Sequence, residues 1–399
     1  MASVSPVSSE RRTRPKDRKE QIARASAEAF SELGYHGVSM EDIARRVGVT
    51  AASLYRHYAG KYDLFRAAVL GMGEHLLELT AYLEDAPEEA AAQNWDLAVA
   101  SLTDSALKNR ASGGMYRWEG RFLEPEHQQV LDGQMALVNK RLQKPMSALR
   151  PNLTCKQRTI LTSAVLSVIG SITDHHARLS TERVQATMNR IARDIRDTDL
   201  PTVAATEAAP RRRVVGAAAG EYEQILHAAL VLINERGYRD TGVDDIASAV
   251  DMSPPTIYRF FHSKGAILTA LFLRGADRVS GDAVDVLSVA AGPREAVTGL
   301  VDAYVQRSIA SRELAYVYYA ERPNVPAEDR AVIHNIQRAT VEAWSSQVAA
   351  ARPGCTPDEA RFAVHAAFAL AVDMGRLFDD DPVRARAILR HLMLTVLLG

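Results

Sequence analysis

The chain has 399 residues, 47% of them hydrophobic, and a formal net charge of -1. That length and apolar content allow two or more domains with cores that fold without staples. The near-neutral balance excludes a uniformly basic nucleic-acid binder, so phosphate-seeking charge has to be concentrated locally. Aromatic residues make up only 6% of the chain, and an alanine- and leucine-rich composition favours helices over strands.

Residues 1–17 read as a disordered arm, with Arg11, Arg12, Arg14, Lys16, Arg18 and Lys19 clustered at its end. Two readings stand: an arm that reaches phosphates or a minor groove, or a merely solubilising tail. Residues 18–61 predict three helices. The first covers 18–33, with Ile22, Ala25, Ala29, Phe30 and Leu33 at helical spacing and Gly34 where a left-handed terminus is wanted. Ser39 opens the second, with Asp42 placed to complete a capping box, and it ends near Val47 and Gly48. Thr50 caps the third, which turns Leu54 inward and Ser53, Tyr55, Arg56 and His57 outward. Two short helices around a glycine-containing turn make a helix-turn-helix, whose second helix has the length and polarity to enter a major groove.

Residues 62–196 predict a helical body. Its connecting helix, 62–83, carries a buried stripe of Leu64, Phe65, Ala68, Val69, Met72, Leu76 and Leu79, and further helices cover 90–109, 114–121, 126–149, 156–177 and 181–196. Pro87, Gly113, Gly114, Pro125 and Pro151 punctuate them. Residues 197–220 hold no sustained period and form a linker in which Arg211, Arg212 and Arg213 stand ahead of the second head.

The chain then repeats itself. Sliding 39–61 onto 242–264 without a gap pairs Asp42 with Asp245, Ile43 with Ile246, Ala44 with Ala247, Val47 with Val250, Tyr55 with Tyr258, Arg56 with Arg259 and Lys61 with Lys264; just upstream, Gly34 and Tyr35 pair with Gly237 and Tyr238. This is an internal duplication. A second head covers 221–264 and a second body 265–399, with helices expected over 265–287, 294–310, 314–320, 327–351, 357–378 and 382–398. Beyond the heads the register shifts by one, pairing Tyr116 with Tyr318, Glu119 with Glu321 and Thr154 with Thr356.

The tail Leu54-Tyr55-Arg56-His57-Tyr58 with Lys61, following Gly34-Tyr35, Asp42-Ile43-Ala44 and Val47, and the second copy ending Ile257-Tyr258-Arg259-Phe260-Phe261 with Lys264, resemble the DNA-binding head of the TetR family of bacterial transcriptional regulators. Ordinary members carry one head and form homodimers, so this chain resembles a double-headed member of the kind found in actinobacteria. The resemblance implies an all-α fold of two tandem units, each a three-helix head on a helical ligand-binding and dimerisation body, joined as a covalent pseudo-dimer through helices 156–177, 181–196, 357–378 and 382–398. The small residues of AVLSVIG and FAVHAAFALAV permit such close approach. Dimerisation between chains through the same surfaces is the rival arrangement.

Two heads held together would meet successive major grooves about 34 Å apart. The expected DNA contacts are Arg14, Lys16, Arg18, Arg45, Thr50, Ser53, Tyr55, Arg56, His57 and Lys61 in the first head, and Arg213, Ser253, Thr256, Tyr258, Arg259 and Lys264 in the second. Arginine and serine read base edges, while tyrosine and lysine suit phosphates. For Tyr55 and Tyr258, packing against the first helix is the alternative. The heads are unlike: residues 10–66 hold 12 basic against 8 acidic residues and 211–274 hold 8 against 7. The first head is therefore expected to contribute most phosphate affinity.

Family bodies hold an effector cavity, which implies Met72, Trp95, Met115, Trp118 and Phe122 in the first half and Tyr304, Tyr316, Tyr319, His334 and Trp344 in the second as ligand-binding, for a hydrophobic ligand. Aromatic residues at helical spacing also fill cores by default. One cavity is free to close into packing while the other senses.

Catalysis finds no support in the residues. Glu124-x-x-His127 lacks the second copy a di-iron bundle needs, and Asp174-His175-His176 puts its histidines on different faces of a helix. No cofactor or metal is expected. Cys155 and Cys355 are few enough for a reducing cytoplasm, and no apolar leader or spanning run appears. The expectation is a soluble cytoplasmic regulator, a repressor on the family's precedent, acting on a double-stranded operator and released by a small hydrophobic effector. A constitutive architectural DNA binder is the alternative.

Overall fold

The computed structural model describes residues 15–202, 220–378 and 381–399, and every regular element among them is helical. The first half holds α1 (Pro15–Leu33), α2 (Met40–Val47), α3 (Ala51–Tyr55), α4 (Lys61–Thr80), α5 (Ala91–Lys108), α6 (Met115–Trp118), α7 (Pro125–Leu149), α8 (Cys155–Gly170) and α9 (Thr181–Asp197). The second repeats the order in α10 (Glu221–Arg236), α11 (Val243–Ala249), α12 (Pro254–Phe260), α13 (Lys264–Val289), α14 (Pro293–Ala310), α15 (Arg312–Glu321), α16 (Ala327–Ala351), α17 (Pro357–Arg376) and α18 (Pro382–Leu398). No helix among the described residues is long and apolar enough to cross a membrane.

Matching side chains start matching helices. Ser39 accepts from the Asp42 N–H at 3.1 Å while Asp42 accepts from the Ser39 N–H at 3.0 Å, and the same reciprocal box joins Thr154 to Gln157 and Thr356 to Glu359. In the second head only the return arm exists, because Gly242 has no hydroxyl: its N–H donates to Asp245 at 2.7 Å. Gly48 turns the chain at φ 70°, whereas Asp251 takes that left-handed place at φ 53° in the second head.

Several expected boundaries move. Helix α1 begins at Pro15, whose missing N–H costs nothing in a first turn. Helix α6 is a single turn continued by a 3-10 segment, Gly120–Phe122. Helix α8 stops at Gly170, and after Ser171–Thr173 the chain runs irregularly to Ser180.

One apolar cluster runs through both bodies. It joins Val168, Ile191 and Ile195 of the first half to Phe362, Ala367, Leu392 and Val396 of the second. Helix α8 packs on α17, and α9 packs on both α17 and α18. Buried Ala164 and Gly170 on α8, with Ala360, Ala363, Ala366 and Ala367 on α17, bring these backbones close. Polar bolts cross the same boundary. Arg117, 7% exposed, donates to Asp174 at 2.7 Å and to Asp373 at 2.6 Å, and Trp118 donates its indole N–H to Asp174 at 2.9 Å. His175, on the irregular stretch after α8, stacks on His365 with centroids 4.1 Å apart. Burial holds His365 down at about 4 and His175 well below the ordinary histidine value.

Candidate nucleic-acid interface

Each head is a small core with one polar face. Ile22, Phe30, Ile43, Leu54 and Tyr58 close the first, and Ile225, Ile233, Ile246, Ile257 and Phe261 the second. Burying Leu54 and Ile257 turns the opposite faces of α3 and α12 to solvent. On α3, Tyr55 is 53% exposed and Arg56 and His57 are exposed beside it, while Ser53 is half-buried. Thr50 spends its hydroxyl oxygen on the Ser53 N–H at 3.3 Å. Arg45, exposed on α2, pairs with Asp42 at 3.2 Å.

The second face is built from different chemistry. Helix α12 begins with Pro254 and Pro255, the Ser253 and Thr256 hydroxyls bond each other at 3.0 Å, and Arg259 lies 3.5 Å from Glu221. Tyr258 is 54% exposed and Phe260 38%. This helix therefore shows more ring surface and fewer uncommitted donors than α3. Arg14 and Arg213 lie outside the described residues, as do the side chains of Lys16 and Arg18, whose backbones form the start of α1.

Lys61 and Lys264 point inward. Lys61 donates to the Tyr35 carbonyl at 3.2 Å and sits 4.5 Å over the Tyr35 ring; Lys264 donates to the carbonyls of Tyr238 at 2.8 Å and Thr241 at 2.9 Å, 4.4 Å over the Tyr238 ring. Burial lowers the pKa of both ammonium groups. From the other side, Glu119 accepts from the Tyr35 N–H at 2.7 Å and Glu321 from the Tyr238 N–H at 2.9 Å. The loop after each head's first helix is thus clasped between a lysine of the connecting helix and a glutamate of the body. The sequence paired Glu119 with Glu321 but carried no sign of what they hold.

The bodies differ more than the heads. A cavity of about 1060 Å³ opens in the second half, lined by Leu226, His227 and Leu230 of α10, Phe272 of α13, and Tyr304, Tyr318, Tyr319 and Ile333 of the body. Of the expected ligand residues, Tyr304 and Tyr319 face it. His334 points to solvent while its neighbour Ile333 lines the wall, a one-position error of helical register. Trp344 lies behind the wall, 1% exposed and edge-on to Tyr304 and Phe368, and Tyr316 packs with Trp118 between the halves.

The first body is filled at the equivalent place. The Gln134 carboxamide donates to the Leu70 carbonyl at 3.2 Å, and even a Cβ at Gly73 would stand 1.9 Å from its oxygen. Carrying the heads' register along the connecting helices pairs half-buried Met72 with Gly275, so the second half lacks that side chain where its cavity lies. Trp95 is fully buried in the shared core, Met115 is buried under the first head, Trp118 stacks on Tyr319 at 5.0 Å, and Phe122 packs on Tyr35 and His36. Glu124, Glu126 and His127 bring ligand atoms within 4.8 Å of one another, but His127 is engaged by the Tyr62 hydroxyl at 2.8 Å and Arg66 at 3.2 Å.

Two helix-turn-helix heads on one helical frame, each with a solvent-facing second helix, define the class. Residues 22–68 and 225–271 both match the family described as bacterial regulatory proteins, tetR family. Two copies of that family's matched segment thus stand in tandem in this chain, one in each head. It is 30% identical over 90 residues to the uncharacterized HTH-type transcriptional regulator TtgW of Pseudomonas putida, covering 23% of this chain and 63% of that protein. It is 39% identical over 56 residues to the HTH-type transcriptional activator FasR of Mycolicibacterium smegmatis, covering 14% of this chain and 26% of that one. The chain therefore spans only part of the length of these relatives. Among solved structures, the ketosteroid transcriptional regulator KstR2 of Mycobacterium tuberculosis aligns over 46% of this chain and 97% of its own, at 21% identity and a TM-score of 0.42.

Proposed function

We propose that the chain is a sequence-specific, DNA-binding transcriptional regulator of the cytoplasm, a repressor whose two heads grip one duplex as a covalent pseudo-dimer. The observation that carries this reading is the pair of solvent-facing helices, α3 and α12, presented by duplicated heads whose bodies share one core. Tyr55, Arg56 and His57, with Ser53 beside them, meet bases and phosphates in the first half-site, and Tyr258, Arg259 and Thr256 meet the second. Lys61 and Lys264 hold the heads in shape rather than reaching the duplex. The half-sites are unlike because the faces are unlike.

Release comes from a hydrophobic small molecule in the cavity of the second body. That cavity is walled in part by α10, a helix of the second head, so an occupant touches head and body together. A ligand that prefers a different head orientation shifts the population away from the DNA-fitting state. Relatives carry both signs of regulation by name, an activator in FasR and a negative regulator in IcaR of Staphylococcus epidermidis. Footprinting on the chain's own upstream region, with the mass of the complex and transcription measured alongside, tests the reading. Protection of two adjacent major-groove turns by one chain is expected. Two chains per duplex would replace the pseudo-dimer by a dimer of chains, and raised transcription would reverse the sign.

A further inference from the structure

Beneath the heads the halves meet in a joint that the duplication does not make symmetrical. Glu119 and Glu321 occupy matched places, 5% and 1% exposed, and each holds the tyrosine N–H of its own head. Arg121 of the first half crosses the joint to pair with Glu321. Its guanidinium lies 4.6 Å over the Phe122 ring and 5.7 Å over Tyr316. Phe122 in turn packs on Tyr35 of the first head at 5.9 Å and on Gly237 of the second, where an added Cβ would stand 3.2 Å from the ring. The two head loops also meet directly: His36 lies 3.9 Å from Asp240, and Arg239 lies against Gly37.

The register that pairs Glu119 with Glu321 pairs Arg121 with Pro323. The second half therefore has no arginine at the matched place, and Arg121 pairs with Glu321 across the joint. In a dimer of identical chains every such residue would occur twice; fusion of unlike halves permits a joint with one.

We propose that Arg121 is a positioning residue: by binding Glu321 across the joint it fixes the separation of the two heads, and with it the half-site spacing the chain accepts. Half-site spacing rests on the DNA-binding reading above, whereas the head separation does not. Glu321 receives the Tyr238 N–H and Arg121 at the same carboxylate, so the second head's loop and the first body are tied at one point. Removing the cation leaves a buried carboxylate that must draw water into the joint, and the loops then lose their common anchor.

The test uses the full chain and two readouts. Spin labels at Glu41→Cys and Asp244→Cys, in a chain with Cys155→Ser and Cys355→Ser, report the separation of the heads without DNA. A single narrow distance distribution is expected, broadened by Arg121→Met and by Glu321→Gln and restored by Arg121→Lys. Glutamine keeps an oxygen for Tyr238, so that variant carries the test should Arg121→Met fail to fold. For spacing, duplexes selected from a random pool are lengthened or shortened by one base pair between half-sites. The parent should lose about tenfold in affinity and the two loosened variants about threefold or less, with single half-site binding unchanged. Distances equally narrow in parent and both variants overturn the proposal, as does an unchanged spacing penalty. A parent that binds no duplex overturns the DNA reading, and the distances still decide the joint.

Discussion

The two bodies descend from one plan, yet the space beside the connecting helix is filled at Gly73 in the first and open in the second. Gln134 presses into the space that only Gly73 leaves, while Gly275 and Ala276 border a cavity of about 1060 Å³. The heads diverge in parallel: α3 offers Tyr55, Arg56 and His57, and α12 offers two prolines, exposed rings and an arginine already near Glu221. Fusion removes the requirement that both partners be equally good at both tasks. One half then carries the more basic head and the other the open cavity.

The comparison breaks first at the bolts between the halves. Arg117 stands where the second half has Tyr319, and it is buried between two carboxylates. Arg117→Met should cost about 3 to 5 kcal/mol in chemical denaturation, because Asp174 and Asp373 are left facing each other without a cation. Arg307, paired with Asp282 at the edge of the cavity, should cost about 1 kcal/mol or less. Equal losses would mean the halves are held by apolar packing alone.

The next contrast lies on the connecting helices. Gly73→Ala collides with Gln134 and should destabilise by about 1 to 3 kcal/mol. Ala276→Leu in the other half should leave the melting temperature nearly unchanged and abolish uptake of a fluorescent apolar probe. Probe bound as well by the filled variant would move the ligand site elsewhere.

On DNA, Arg56→Ala should weaken operator binding about tenfold and flatten its salt dependence, and Arg259→Ala should do less of both. Matched losses in a binding titration would sink the idea of unlike heads.

The smallest effect is a slope against pH. Burial pushes the Glu119 carboxyl up to about 7, against the pull of the Tyr35 N–H and Arg121 and with the repulsion of Glu321. Between the ordinary glutamate value of 4.5 and about 7 the folded chain keeps a proton that the unfolded chain releases. This contribution to stability is complete below about 4.5 and is lost as pH rises through about 7. His365, held at about 4, works in the opposite direction, its contribution being lost as pH falls through about 4. The difference in stability between parent and Glu119→Gln isolates the first term; a difference that stays flat from pH 4 to 8 would show the carboxyl ionising freely.

What could be read in the sequence was local. Capping pairs such as Ser39 with Asp42 and the alternation around Leu54 and Ile257 announce themselves within a few residues, and the duplication doubled each signal. What could not be read depends on neighbours far along the chain. Trp118, Phe122 and Tyr316 look like cavity aromatics because nothing nearby says that another half will cover them. Lys61 and Lys264 look like phosphate contacts because their acceptors, the carbonyls of Tyr35 and Tyr238, lie across a fold of the backbone. His334 was one position from the wall residue Ile333, an error that helical periodicity permits and only packing corrects. Helix α10 as a cavity wall had no precursor in the pattern at all, since its inward face reads equally well as head core.

The core that runs from α8 and α9 into α17 and α18 ties these observations to the life of the protein in a cell. A regulator assembled from separate subunits falls apart on dilution and trades partners with its relatives, so its grip on DNA depends on how many copies are made. Here the partners are synthesised together and cannot be exchanged. The pseudo-dimer proposed above would reach DNA with its unlike pair complete, and damage to one copy would leave the others untouched.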